Sequence, residues 1–416
     1  MTDFSTFNLA APIAKAVAAS GYATPTPIQR ETIPLALNGR DVLGVAQTGT
    51  GKTAAFALPI LNHLALNPKS LTRRSTRALV LAPTRELAGQ IGESFASYGR
   101  NLRGSIATVF GGAPINRQIR LLDPGVDVLV ATPGRLIDLI ERKSLSLAAV
   151  EILVLDEADQ MLDLGFIHAL RRIVSLLPKE RQTLFFSATM PKSIGELASQ
   201  YLNDPARVSV APAATTAERI DQRVMFVRQT DKQEALARIL ADPAVTRALV
   251  FTRTKHGADR VVKRLAAAGI EAAAIHGNKS QSQRERALSS FKSGRRSVLV
   301  ATDIAARGID IDDVSHVVNF EIPNVPEQYV HRIGRTARAG RAGFALSLVD
   351  ESERGFLRDI ERLTRGRIAV DGRSTGGEHP PPRPETAPAR PPEARQPSGE
   401  ARRRSRRGRG PRARAA

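Results

Sequence analysis

Among its 416 residues the chain has no cysteine. Disulfides, thiolate metal sites and thiol nucleophiles are therefore excluded, and the composition suits a reducing compartment. No apolar run reaches the length of a membrane span, and Met1 to Ala10, which includes Asp3 and Asn8, lacks the apolar stretch of a secretory signal. The expectation is a cytoplasmic protein with no membrane contact. Acidic residues are in deficit, 41 Asp+Glu against 61 Lys+Arg, for a net charge of +20. Such an excess points to a polyanionic partner, most commonly nucleic acid. Aromatic residues stop at Phe356, so the end of the chain can attract phosphates but cannot stack on bases.

What is present begins with Ala46-Gln47-Thr48-Gly49-Thr50-Gly51-Lys52-Thr53. An apolar segment, Val42 to Val45, precedes it, and a helical pattern from Ala54 to Leu66 follows. Small residues at such a strand-to-helix turn let backbone N–H groups close around phosphates at the positive end of the helix. Lys52 can reach the terminal phosphates and the Thr53 hydroxyl can ligate Mg²⁺. The stretch reads as a P-loop with one departure, Ala46 in place of the first glycine of G-x-x-x-x-G-K-[ST].

Length and a hydrophobic content of 42% allow two or three domains, each with its own core. Residues 1–206 alternate short apolar runs with helical patterns, which predicts a parallel α/β sheet. Leu79–Ala82, Val128–Ala131, Ile152–Leu155 and Leu184–Phe186 are the clearest strands, and a polar cluster follows each. Ligands in such sheets bind beyond the carboxyl ends of the strands, so those clusters should converge with the P-loop. Residues 207–218 read as a linker, and 219–365 as a second α/β domain without a Gly-Lys-Thr of its own. One nucleotide site must serve both domains. Val-Leu-Val-Ala-Thr occurs at 128–132 and again at 298–302, a faint sign of a shared ancestral unit. Residues 366–416 hold thirteen Arg against five Asp or Glu, eight of the twenty net charges, and are expected to be disordered.

Taken in order, Ala46–Thr53, Pro83–Ala88 (PTRELA), Thr132–Arg135 (TPGR), Asp156–Asp159 (DEAD), Ser187–Thr189 (SAT), Ala301–Asp310 (ATDIAARGID) and His331–Gly340 (HRIGRTARAG) resemble the motif set of the DEAD-box RNA helicases. The resemblance covers about residues 1–365. Stretches such as His276–Gln281 and Asn324–His331 are most similar to the bacterial RhlE-like branch. The family implies two tandem RecA-like domains, here with a basic tail, acting as an RNA-stimulated ATP hydrolase on ATP and Mg²⁺. Upstream, Gly21–Gln29 resembles the family's Q motif, with Phe4 as its distant aromatic. This implies adenine selection by Gln29 and stacking by Tyr22, with Thr24 in the same motif.

The resemblance also distributes roles. Asp156 would hold Mg²⁺ together with Thr53, and Glu157 would orient or deprotonate the attacking water. Lys52, Arg335 and Arg338 would stabilise the developing charge, the last two as arginine fingers, and Asp310 would contact the ribose. Asp159, Ser187, Thr189 and His331 would couple the nucleotide to the second domain. RNA would touch Pro83, Thr84, Arg85, Gly112, Thr132 and Arg135 in the first domain, and Arg253, Gln281, Arg284, Thr302, Asp303 and Arg307 in the second. Such contacts favour phosphates and 2′-hydroxyls, hence little sequence preference. The expected unit is a monomer, with ribosomal or RNA-degradation proteins as candidate partners. A nucleotide-gated RNA clamp and a DNA helicase of the wider superfamily are the rival readings. Ala337 stands where the family's last motif has glycine; a positive φ there would strain it by roughly a kcal/mol.

Overall fold

The computed structural model describes residues 3–47, 49–210, 220–306, 314–337 and 343–372. Thr48, Arg307, Asp310, Arg338 and residues 373–416 lie outside the described residues. Two seven-stranded sheets carry the described chain. The first contains β1 (Val42–Val45), β2 (Thr76–Leu81), β3 (Ile106–Val109), β4 (Val126–Ala131), β5 (Ile152–Leu155), β6 (Gln182–Ser187) and β7 (Ala206–Ser209). The second contains β8 (Ile220–Phe226), β9 (Ala248–Thr252), β10 (Ala272–Ile275), β11 (Val298–Thr302), β12 (His316–Asn319), β13 (Gly343–Val349) and β14 (Ala369–Val370). Every pairing between these strands is parallel.

Their orders are β3-β4-β2-β5-β6-β1-β7 and β10-β11-β9-β12-β13-β8-β14, one topology built twice. The repeated pentapeptide falls on β4 and β11, which occupy the same place in the two sheets. Both faces of each sheet are buried, as parallel strands require. In β6 the side chains of Leu184 and Phe186 join one core with Phe56 and Phe95, while Phe185 joins the other with Leu129 and Leu153. Alternation of β-strand side chains thus feeds two cores from one apolar run. Two further cores flank the second sheet in the same way.

Boundaries differ from the sequence reading at three places. The P-loop helix starts at Lys52 rather than Ala54, because Gly51 caps it in the left-handed conformation. Residues 206–209 pair with β1 as an edge strand, so the region read as linker contributes a strand first. Residues 369–370 pair with β8, and Ile368 is buried in the second lobe's core, so the first residues assigned to the tail are part of the fold. Two-residue strands and single apolar anchors leave no periodic signal to read.

Candidate nucleotide and RNA site

The turn between Val45 and Lys52 has two glycines in the left-handed region, Gly49 at φ 84° and Gly51 at φ 91°. A Cβ on Gly51 would also lie 2.5 Å from the Gln29 amide nitrogen, so the position admits only glycine. Ala46 is not among the positive-φ residues, which explains why alanine serves there. Lys52 is 5% exposed; its ammonium donates to the Ala46 carbonyl at 3.0 Å and stands 3.9 Å from Asp156 Oδ1. That oxygen is buried and has no hydrogen-bond partner. Burial pushes the Asp156 carboxyl up to about 6, with Lys52 opposing the rise and Glu157 adding to it. Glu157 is 2% exposed and sits at φ 54°, a left-handed conformation rare for glutamate. Strain of this kind is held at functional sites by the packing around it.

A cavity of about 490 Å³ brings Tyr22, Gly49, Gly51, Lys52, Thr53, Asp156 and Glu157 together. Tyr22 stacks on Phe4 with ring centroids 5.9 Å apart, and its hydroxyl meets that of Tyr98 at 2.9 Å. Gln29 is more committed than an open adenine contact would be. Its Oε1 accepts from Thr26 N at 2.9 Å, closing a capping box on the helix Pro27–Leu37, and its Nε2 donates to Gly51 O at 3.1 Å. One lone pair and one N–H of the amide are left for a ligand. Gln47 and Thr50 complete the turn, the Thr50 hydroxyl donating to Gln47 O at 2.8 Å. Thr24 is exposed and lies outside the lining of this cavity.

Next to it, Asp159 Oδ2 accepts from the Thr189 N–H at 3.1 Å and the Thr189 hydroxyl at 3.0 Å, while the Ser187 hydroxyl donates to Thr189 O at 2.8 Å. A cavity of about 690 Å³ is lined by Asp159 and Thr189 from the first lobe and by Asp303 and His331 from the second. Arg335 is 7% exposed and its Nε donates to His331 O at 3.3 Å.

The second lobe has a lysine in the corresponding position. Lys232 opens the helix Lys232–Leu240 after β8, as Lys52 opens the helix Lys52–Leu66 after β1. Its ammonium is wholly buried, ion-paired with Glu353 and 3.0 Å from Asp350. Protein carboxylates thus occupy the partner role that phosphate would take in the first lobe.

Among the residues expected to touch RNA, the Thr84 hydroxyl caps the helix Arg85–Tyr98 by accepting from Leu87 N at 3.2 Å, beside Pro83. Arg85 lies over Gly112, where a Cβ would stand 2.1 Å from its guanidinium. Burial and the neighbouring Arg284 and Arg135 lower the Arg85 pKa, with Glu86 opposing. This cluster carries less negative charge than positive. Arg135 donates to Ala113 O at 3.1 Å, one turn from the buried Thr132. Across the cleft, Arg284 Nε donates to Glu86 Oε1 at 2.8 Å, its Nη2 stands 2.8 Å from Oε2, and Gln281 Oε1 accepts from Arg85 at 3.5 Å. Arg284 is therefore an interlobe contact in this structure. Asp303 is likewise held by Arg332, at 2.5 and 2.7 Å, beside Thr302. Arg253 reaches Glu353 at 3.2 Å.

Kinship follows from likeness to known proteins. Residues 26–197 match the family described as DEAD/DEAH box helicase, and 231–340 the one described as helicase conserved C-terminal domain. The DEAD-box ATP-dependent RNA helicase CshA of Bacillus subtilis is 44% identical over 365 residues, 88% of this chain and 73% of that protein. The chain belongs to the DEAD-box helicases. Among solved structures, a point variant of S. cerevisiae Dbp5 bound to RNA and ADP BeF3 covers 89% of this helicase and 95% of its own chain, at 33% identity and a TM-score of 0.80. The same Dbp5 variant bound to a Gle1 variant and IP6 has the same coverage at 32% identity but a TM-score of 0.71.

Several residues that shape this helicase site escaped the sequence reading. Tyr98 supports Tyr22 from 76 positions away. Glu86 and Arg332 sit inside quoted motifs, yet only their partners reveal them. Arg332 is 1% exposed, stacked over Phe251 and bonded to Asp303, Asn319 and Glu321. A charged residue in a motif suggests ligand contact; complete burial with internal partners marks it as framework instead.

Proposed function

We infer that this DEAD-box protein is an ATP-dependent RNA helicase: RNA-stimulated ATP hydrolysis closes the two lobes on single-stranded RNA, which separates short duplexes or remodels ribonucleoproteins. The supporting observation is that one helix, Arg85–Tyr98, serves both sites: Leu87 and Gln90 line the P-loop cavity, while Arg85 at its start belongs to a cation cluster with Arg135 and Arg284 that reaches the second lobe through Glu86. The better fit to the RNA- and ADP-BeF3-bound Dbp5 favours the same reading.

In this reading Tyr22, Phe4, Thr24 and Gln29 select adenine, and the turn from Ala46 to Thr53 holds the phosphates. Among the described residues no cluster of three or more metal-ligating side chains occurs. Mg²⁺ bound to a nucleotide needs less, one or two carboxylates beside phosphate oxygens. The unpartnered, buried oxygen of Asp156 fits it, with the Thr53 hydroxyl as the second protein ligand; the ion would offset charge on the phosphates. Glu157 orients and deprotonates water, Lys52 leaves the Ala46 carbonyl for the phosphates, and Arg335 with Arg338 supplies positive charge from the second lobe. Asp310 takes the ribose. Asp159, Ser187, Thr189 and His331 transmit the nucleotide state.

RNA lies along Pro83, Thr84, Arg85, Gly112, Thr132 and Arg135, then Arg253, Gln281, Thr302 and Arg307, with Arg284 and Asp303 as positioning residues. Contacts of these types read backbone rather than sequence. Placement in the RhlE-like branch, a monomeric state, a cytoplasmic location and work on ribosome assembly or mRNA turnover belong to the same proposal; no described helix is long and apolar enough to cross a membrane. The test is Glu157→Gln, which keeps the shape of the side chain and loses its basic oxygen. ATP and RNA should still bind, RNA should stay trapped, and hydrolysis should nearly vanish. Wild-type turnover would remove Glu157 from this role.

A further inference from the structure

The second lobe has a groove of about 760 Å³ along its edge strand β10. Ala273 and Ala274 form its floor, and Gln283, Arg286 and Ser290 of the helix Gln281–Lys292 form one wall. Arg295 and Arg296 close its far end, and Lys279 stands at the near end. Four cations thus face one acid, Glu271.

Two of the four are already engaged. Lys279 pairs with Asp259 at 2.8 Å, and Arg296 donates to the Ala272 carbonyl at 2.8 Å, blocking the strand edge against another strand. Arg286 and Arg295 are exposed and have no ion-pair partner among the described residues. Each uses only Nε locally, on Ser282 O at 3.2 Å and Ser293 Oγ at 3.3 Å. The lining contains no aromatic, leucine or isoleucine side chain. Protein interfaces need such anchors, so a peptide finds little to bury here. A hydrated polyanion needs only cations and hydroxyl or amide groups, which the groove supplies.

Its placement relates it to the helicase site. The wall helix borders the first lobe at both ends: Gln281 meets Arg85 and Arg284 meets Glu86 near its start, and Lys292 at its end joins the lining of the P-loop cavity. Arg286 and Ser290 lie further along the same helix, toward Arg295. We propose that this groove is a second phosphate track, which takes the sugar-phosphate backbone of an RNA strand after it leaves the cleft. The proposal rests on the RNA-binding reading above. Without aromatic side chains the track stacks no bases, so it adds affinity and salt dependence without sequence preference.

The test uses the full chain carrying Arg286→Gln and Arg295→Gln, with a single-stranded RNA hexamer and a strand several times longer. For the long strand, the slope of log affinity against log salt should fall by about 1.4, since each phosphate neutralised contributes about 0.7. The hexamer serves as the strand confined to the cleft, and its affinity and ATPase stimulation should be unchanged. The doubly conservative variant, Lys at both positions, should restore the slope. An unchanged slope for the long strand would overturn the track, as would an equal loss with the hexamer, and so would loss of polyglutamate binding without any loss of RNA slope. Failure of the hexamer to bind the wild-type protein would instead overturn the underlying RNA reading.

Discussion

Closure of the two lobes should depend on one ion pair, Glu86 with Arg284. Both carboxylate oxygens face the guanidinium at 2.8 Å, and the side chains are 5% and 10% exposed. When the lobes part, both charges regain water; when they meet, each loses water and gains the other. Removing one partner leaves the second buried and unpaired on closure, which costs about 3 to 5 kcal/mol. At about 1.4 kcal/mol per factor of ten, the lower figure cuts the closed population roughly 100-fold. In Glu86→Gln and in Arg284→Gln, the RNA concentration for half-maximal ATPase should therefore rise steeply, and dyes placed one on each lobe should report less closure at fixed RNA and ATP. The double variant, with two facing amides, should recover part of the loss, giving a coupling of at least about 1.5 kcal/mol. If Arg284 acted by touching RNA directly, its replacement would remain as costly in the Glu86→Gln background as alone. Additive losses, or single variants within about twofold of wild type, would refute the latch, because close charge pairs across interfaces couple by more than that.

Three further predictions concern single sites. Ala337 sits at φ 57°, so Ala337→Gly should stabilise the fold by about 1 kcal/mol in a denaturant titration while leaving RNA-stimulated ATPase within a few-fold. Asp156 is raised from the ordinary carboxylate range to about 6, so between those values the folded protein binds a proton that the unfolded chain does not. Without ligand, stability should rise as pH falls through about 6, while affinity for Mg²⁺-ATP drops over the same range; Asp156→Asn should abolish this limb of the stability profile, measured by thermal melting. Glu353→Ala would leave the Lys232 ammonium buried with only Asp350 beside it, and should destabilise the second lobe by about 3 to 5 kcal/mol in a denaturant titration.

Much of the architecture was readable because parallel strands buried on both faces are continuous apolar runs, and because the P-loop imposes glycines at Gly49 and Gly51 that no other residue can replace. The Ala337 departure was legible too, since a glycine replaced in a turn raises the question of φ, and the answer is 57°. The edge strands β7 and β14 were not, because Ala206-Arg207-Val208-Ser209 buries only Val208 and Ala369–Val370 is two exposed residues, so neither is an apolar run like Ile152–Leu155. Nor could the sequence separate Arg284 from Arg85. The resemblance assigns RNA contacts to both arginines, and only Glu86 across the cleft shows that the Arg284 guanidinium pairs within the protein. Lys232 was invisible for a related reason: its kinship with Lys52 lies in strand order, with no shared motif around it.

Strand displacement tests the central claim most directly. A short RNA duplex with a single-stranded extension, incubated with the full chain, should separate when ATP is supplied and stay paired with ADP or without nucleotide, and the same duplex made wholly of DNA should neither separate nor stimulate ATP hydrolysis. RNA-stimulated hydrolysis with the RNA duplex left intact would identify a nucleotide-gated clamp, and stimulation by DNA would contradict the assignment to RNA.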